Sequence, residues 1–101
     1  TNIIQLKNNV ISEIVIDPQE LNINADKFEN LVGDDAKFNA NKMLEIFKGE
    51  DNDFSKAVCL NAAAGLIINE THEEFIEAYK NAREHILSNK VIKHLKTIQN
   101  A

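Results

Sequence analysis

The apolar positions of the first sixteen residues follow a two-residue period. Ile4 and Leu6 alternate with polar neighbours, and so do Ile14 and Ile16, with Val15 on the opposite face. Between the two runs lies Asn8-Asn9, and asparagine tolerates the positive φ that a tight hairpin turn needs. The pattern predicts a hairpin of Asn2–Lys7 with Val10–Ile16. A two-stranded ribbon alone is marginal in water, so it is expected to lean on helices or to join another sheet. Asp17-Pro18-Gln19-Glu20 then has the form of a helix start: Asp caps, Pro occupies the first turn and Glu20 the third helical position. A single turn is expected there.

From Ala25 onward the period is helical. Asp26–Leu31 reads as a short helix ended by Gly33. Ala36, Ala40, Met43, Leu44 and Phe47 recur at helical spacing, with Asp34 or Asp35 as the cap and Gly49 as the stop. Glu50-Asp51-Asn52-Asp53 is a polar connector, and Asp53 is the expected N-cap of a helix from about Phe54 to Ile68. Thr71-His72-Glu73-Glu74 matches a capping box. It opens a helix with Phe75, Tyr79, Ala82 and Ile86 on one face, and a last helix carries Val91, Leu95 and Ile98. The expected fold is α+β, a hairpin followed by four main helices. It forms one domain over 1–101, with the hairpin at about 2–16 and the helical part at about 26–99.

Composition narrows the function classes. The chain has 101 residues, 44% of them hydrophobic, and a net charge of −5. A domain of this size buries about 60–70% of its unfolded surface, enough for a small core. The acidic balance argues against nucleic-acid phosphates and anionic membrane surfaces as partners. Lys90, Lys93, His94 and Lys96 cluster near the C-terminus and read as a solvated helix face that complements the helix dipole. One cysteine, Cys59, allows no intrachain disulfide and fits a reducing cytoplasm. No apolar run is long enough to cross a bilayer, and no signal peptide is visible. The chain begins at Thr1 without Met, so either that residue was removed or the chain starts inside a longer reading frame.

Candidate chemistry is thin. His72, His85 and His94 do not fall at the i, i+4 spacing of helical metal ligands, and Cys59 has no CxxC partner. A calcium loop counted from Asp51 would need glycine where Lys56 stands and a bidentate Glu where Ala62 stands. Gly33, Gly49 and Gly65 form no phosphate-binding loop, and Asp34 and Asp35 already occupy the favourable end of a helix dipole. Cys59 sits in an apolar helix, where burial makes a thiol inert. Asn61 is the one amide in Ala57–Leu66, with Ala57, Val58, Ala64 and Gly65 at i±3 and i±4. This small-residue face would let another backbone approach, and the expected role of Asn61 is an inter-segment clamp; a direct ligand contact is the alternative. No catalytic, cofactor-binding or metal-binding residue is assigned. Asn61, Asn39, Gly33 and Asp35 are expected to be structural.

Two stretches carry a resemblance. Leu31-Val32-Gly33-Asp34-Asp35-Ala36-Lys37-Phe38-Asn39-Ala40 is similar to the L-x-G-G-D-A-x-x-N-A segment near the C-terminus of the anthranilate phosphoribosyltransferases. Ala57-Val58-Cys59-Leu60-Asn61-Ala62-Ala63-Ala64-Gly65-Leu66 resembles that family's A-V-L-L-N-A-A-A-A-L helix. The hairpin with Asp17–Leu21, and the tail from Glu73 to Leu95, resemble the family as well. Asp34 replaces the second glycine of the family's pair and Phe38 a usual Glu.

The resemblance implies the C-terminal portion of a larger α/β catalytic domain. The complete enzyme would transfer phosphoribose from phosphoribosyl pyrophosphate to anthranilate with magnesium, in cytoplasmic tryptophan biosynthesis. The family's phosphate loop, anthranilate contacts and acidic magnesium pair have no counterpart in these residues, so the chain alone is expected to be inactive. Its expected partners are a second copy, in a homo-oligomer, or the N-terminal portion of the domain. The alternative is a non-catalytic interaction module or complementing subunit.

Overall fold

A computed structural model describes residues 2–21, 23, 31–70 and 74–101. Strands β1 (Asn2–Lys7) and β2 (Val10–Val15) form an antiparallel hairpin in register from Lys7↔Val10 to Asn2↔Val15. Asn8 and Asn9 have φ of 52° and 63°, the paired left-handed turn whose twist matches that of the strands. The hairpin is the expected one, ending at Val15 rather than Ile16. Its Ile4, Leu6, Ile11 and Val15 share one face and are 66–78% exposed. Ile3 and Ile14 pair on the other face and are half-buried. The expected packing against helices is only loosely realised, because among the described residues the two strands pack closely only on each other.

Pro18–Leu21 forms a single 3-10 turn. The Asp17 carboxylate accepts from Gln19 N–H at 3.0 Å, and its carbonyl accepts from Glu20 N–H at 3.1 Å. The short helix expected over Asp26–Leu31 lies outside the described residues, apart from Leu31.

Four helices follow: α1 (Ala36–Phe47), α2 (Asp53–Ile68), α3 (Phe75–Leu87) and α4 (Lys90–Gln99). Helix α1 is capped by Asp35, whose carboxylate accepts from Phe38 N–H at 2.8 Å. It closes on Gly49 at φ +100°, with Gly49 N–H donating to Ile46 O and Glu50 N–H to Glu45 O, a full Schellman motif. Helix α2 departs from expectation at its start. Its N-cap is Asn52, not Asp53, because Asn52 and Ser55 satisfy each other's backbone N–H groups at 2.9 Å in a reciprocal capping box. Asp53 instead falls in the first turn, with Lys56 Nζ at 3.8 Å. Most of the capping box expected at Thr71–Glu74 lies outside the described residues. Glu74 itself takes the N-cap position of α3 without a side-chain bond. Asn89, at φ 66°, joins α3 directly to α4.

The core lies where α1, α2 and α3 converge. Ile46, Cys59 and Ile86 are buried, with Phe47, Phe54, Tyr79, Ala82 and Val91 packed around them. Helices α2 and α3 make the most intimate contact, and each contributes a fully buried alanine, Ala63 and Ala78. Of the helically spaced residues read from α1, Phe47 packs here, but Met43 and Leu44 stay substantially exposed and Ile46 is the buried one. Of the apolar positions of α1, Ile46 is the one that faces Cys59 and Ile86.

Candidate functional site

The segment Gly33–Asn39 closes on itself. The Asn39 carboxamide reaches back five residues: Oδ1 accepts from Asp34 N–H at 3.0 Å and Nδ2 donates to Asp34 O at 3.1 Å. One side chain thus satisfies both polar groups of Asp34, while Asp35 satisfies the N–H of Phe38. Gly33 is required for steric reasons. A Cβ there would lie 2.8 Å from Asn39 Oδ1, closer than such atoms approach. Gly33, Asp35 and Asn39 therefore form one device that sets the entry of α1, and their spacing on the helix is what the motif records.

Asn61 lies on the open face of α2. It is exposed, and its Nδ2 donates to Ala57 O one turn back at 2.8 Å. Among the described residues its amide makes no bond to another segment. The amide is satisfied by its own helix, and the small-residue surface around it is open. Next to it runs an apolar groove of about 570 Å³ between α2, α3 and α4, lined in part by Val58, Ala62, Gly65, His85 and Val91.

A polar contact between segments far apart in sequence was not anticipated. Arg83 of α3 donates through Nη2 to Gly49 O at 2.8 Å and through Nη1 to Glu50 O at 3.5 Å. It ties α3 to the connector that follows α1, across 34 positions of sequence. The available signal was its type. Arg83 is the one arginine among eleven basic residues, and only guanidinium offers a rigid fork of donors. Beneath it, burial pushes up the Cys59 thiol; Arg83 opposes this shift and Asp51 adds to it. Burial likewise raises the Tyr79 hydroxyl, with Cys59 and Asp51 contributing and Arg83 opposing.

Cys59 is fully buried and held protonated, so it offers no nucleophile. No group of three or more His, Cys, Asp or Glu that could hold a metal occurs among the described residues. No described helix is long and apolar enough to cross a membrane.

A hairpin followed by four helices, with a glycine-and-asparagine clamp at the entry of α1, defines an α+β unit. Sequence comparison agrees: residues 1–91 match the glycosyl transferase family, a/b domain, and the chain belongs to that family. Its curated relatives are anthranilate phosphoribosyltransferases. The chain is 71% identical over 100 residues to the one from Pelagibacter ubique (strain HTCC1062), covering 99% of this chain and 30% of that protein. It is 40% identical over 82 residues to that of Thermoanaerobacter sp. (strain X514), covering 81% of this chain and 24% of the relative. It is 34% identical over 94 residues to that of Bacillus cereus (strain B4264), covering 93% and 28%. The chain thus spans less than a third of the length of these relatives. No solved structure matches it.

Proposed function

We propose that these residues form a scaffold segment of an anthranilate phosphoribosyltransferase, a transferase of tryptophan biosynthesis working in the cytoplasm. On this reading the segment builds one side of the catalytic domain. The phosphoribosyl pyrophosphate, the anthranilate and the magnesium are held by parts of the family's domain that this chain does not span. The observation that carries the proposal is 71% identity over 99% of the chain to the Pelagibacter ubique relative. The internal devices fit a supporting role. The Gly33–Asn39 clamp and the Arg83 tether spend their hydrogen bonds on the chain's own backbone.

The test is a chimera in which this chain replaces the matching residues of the Pelagibacter ubique enzyme. The chimera is expected to fold and to join phosphoribose to anthranilate in the presence of magnesium, while the 101-residue chain alone gives no turnover. A folded but inactive chimera overturns the proposal. Turnover by the chain alone overturns its claim that the chemistry lies elsewhere.

A further inference from the structure

We infer that α4 is a detachable strap. It leaves the core as a unit about Asn89 while α1–α3 stay folded, and its release uncovers the apolar groove beside α2 and α3. A free helix of 10 residues is marginal in water, so α4 opens and melts in one step.

Three features single out α4. First, its hold on the core is shallow. Helices α1, α2 and α3 each contribute at least one buried residue, and α4 contributes none. Val91, Ile92 and Leu95 are half-buried, and Ile98 is 59% exposed. Helices in proteins owe most of their stability to burial of an apolar face, so α4 is the least anchored of the four.

Second, its charges oppose it. Helices α1 and α2 open on side-chain caps, and α4 has none. Lys90 and Lys93 stand in its first turn with no acidic residue beside them, at the positive end of the helix dipole. Of the basic cluster read as complementing the dipole, Lys96 is the lysine in the last turn. The three lysines follow one another at i, i+3 spacing, where like charges repel. Lys42 of α1 and Lys56 of α2 each have a carboxylate three residues away, at 3.2 and 3.8 Å. Among the described residues no such ion pair forms on α4.

Third, the joint is a single residue. Asn89 has φ 66°. Its N–H stays with α3, donating to Ile86 O at 3.1 Å, and its C=O begins α4, accepting from Lys93 N–H at 3.1 Å. The bond across the joint, from Lys90 N–H to Ser88 Oγ, is long at 3.4 Å. Rotation at Asn89 therefore releases α4 without disturbing the end of α3.

Val91 is what the strap holds down. It packs against the Ile46, Cys59 and Ile86 cluster and lines the groove of about 570 Å³ with Ala62, Gly65, Ala82 and Ile86. With α4 away, that groove becomes an open apolar face. The remaining helices keep the α2–α3 contact and the Arg83 bond to Gly49 O, neither of which involves α4.

Amide hydrogen exchange of the 101-residue chain at low urea concentrations tests this. The Leu95 and Lys96 amides should be at least about a hundredfold less protected than those of Cys59 and Leu60 in α2. Their rates should barely respond to urea, because opening one short helix exposes little surface, whereas the α2 rates should climb steeply. Ala63→Gly weakens α2 and leaves the balance between the closed and α4-open forms as it was. It should speed α2 exchange about fivefold and leave that of α4 unchanged. Lys90→Glu combined with Lys93→Glu should slow α4 exchange severalfold. Equal protection in the two helices, coincident urea slopes, or an α4 rate that rises with that of α2 in Ala63→Gly overturns the inference. So does an α4 with no protection at all, since a helix that never docks is no strap. An α4 rate unmoved by the charge reversal overturns the electrostatic loosening.

Discussion

The hairpin and the helical unit are built on opposite principles. In the hairpin every local requirement is met: the Asn8-Asn9 turn has the φ values it needs and six residue pairs are in register. Yet four large aliphatic side chains of its outer face remain exposed. The helical unit has imperfect local signals, with no side-chain cap on α3 or α4, but it closes a small core of its own around Ile46, Cys59 and Ile86. Local order and burial are thus separable. The hairpin's shape comes from its turn and ladder, and the helical unit's from contacts between segments distant in sequence.

The sharpest break of that comparison is a pair of truncations. Ile86→Ala, in the core, should destabilise the chain by about 2–4 kcal/mol. Ile11→Ala, on the outer hairpin face, should change it by no more than about 0.5 kcal/mol. Urea unfolding followed by circular dichroism measures both. Similar losses would mean that the hairpin face is covered in the isolated chain.

Arg83→Ala should follow, at about 1.5–3 kcal/mol, because a charged donor leaves the Gly49 carbonyl. Arg83→Lys should restore little of this, since an ammonium cannot reproduce the two-pronged reach to Gly49 and Glu50. Full rescue by lysine would show that charge alone matters.

Gly33→Ala and Asn39→Ala should each cost about 1–2 kcal/mol, and the double variant clearly less than their sum, because both remove one clamp. Strict additivity in the same unfolding assay would separate the two residues.

The smallest effect is a pH dependence confined to the helical unit. The folded Cys59 pKa lies above the unfolded one, so the folded state keeps its proton longer. The stability this provides is complete below the ordinary thiol value of about 8.5 and is lost as pH rises towards the folded pKa. Tyr79 adds a second loss of the same sign, beginning above about 10. Cys59→Ala should flatten the first part of this alkaline decline and leave the second. An unchanged profile between pH 8 and 10 would remove Cys59 as its source.

Much of the candidate site was legible because its bonds are short-range. Asp35 caps a helix three residues on, Asn39 answers Asp34 five residues back, and Gly49 ends α1, each within a turn or two of its partner. The misplaced cap of α2 is of the same kind. Asn52 and Asp53 are both good caps, and the choice fell to the Ser55 hydroxyl three residues beyond Asn52. The neighbours of Asn61 on the helix face say what could approach, and among the described residues its amide donates to its own helix.

The sequence by itself therefore determined the hairpin, its turn, two of the four helix starts to within a residue, and membership of a glycosyl transferase domain family. All of these rest on interactions between near neighbours or on the identity of a motif. Only the tertiary structure decided that Ile46 rather than Met43 or Leu44 enters the core, that Arg83 ties α3 to the α1–α2 connector, and that the hairpin stands apart with an open edge. Those outcomes depend on the angle and distance between elements far apart in the chain, which no local pattern of residues specifies.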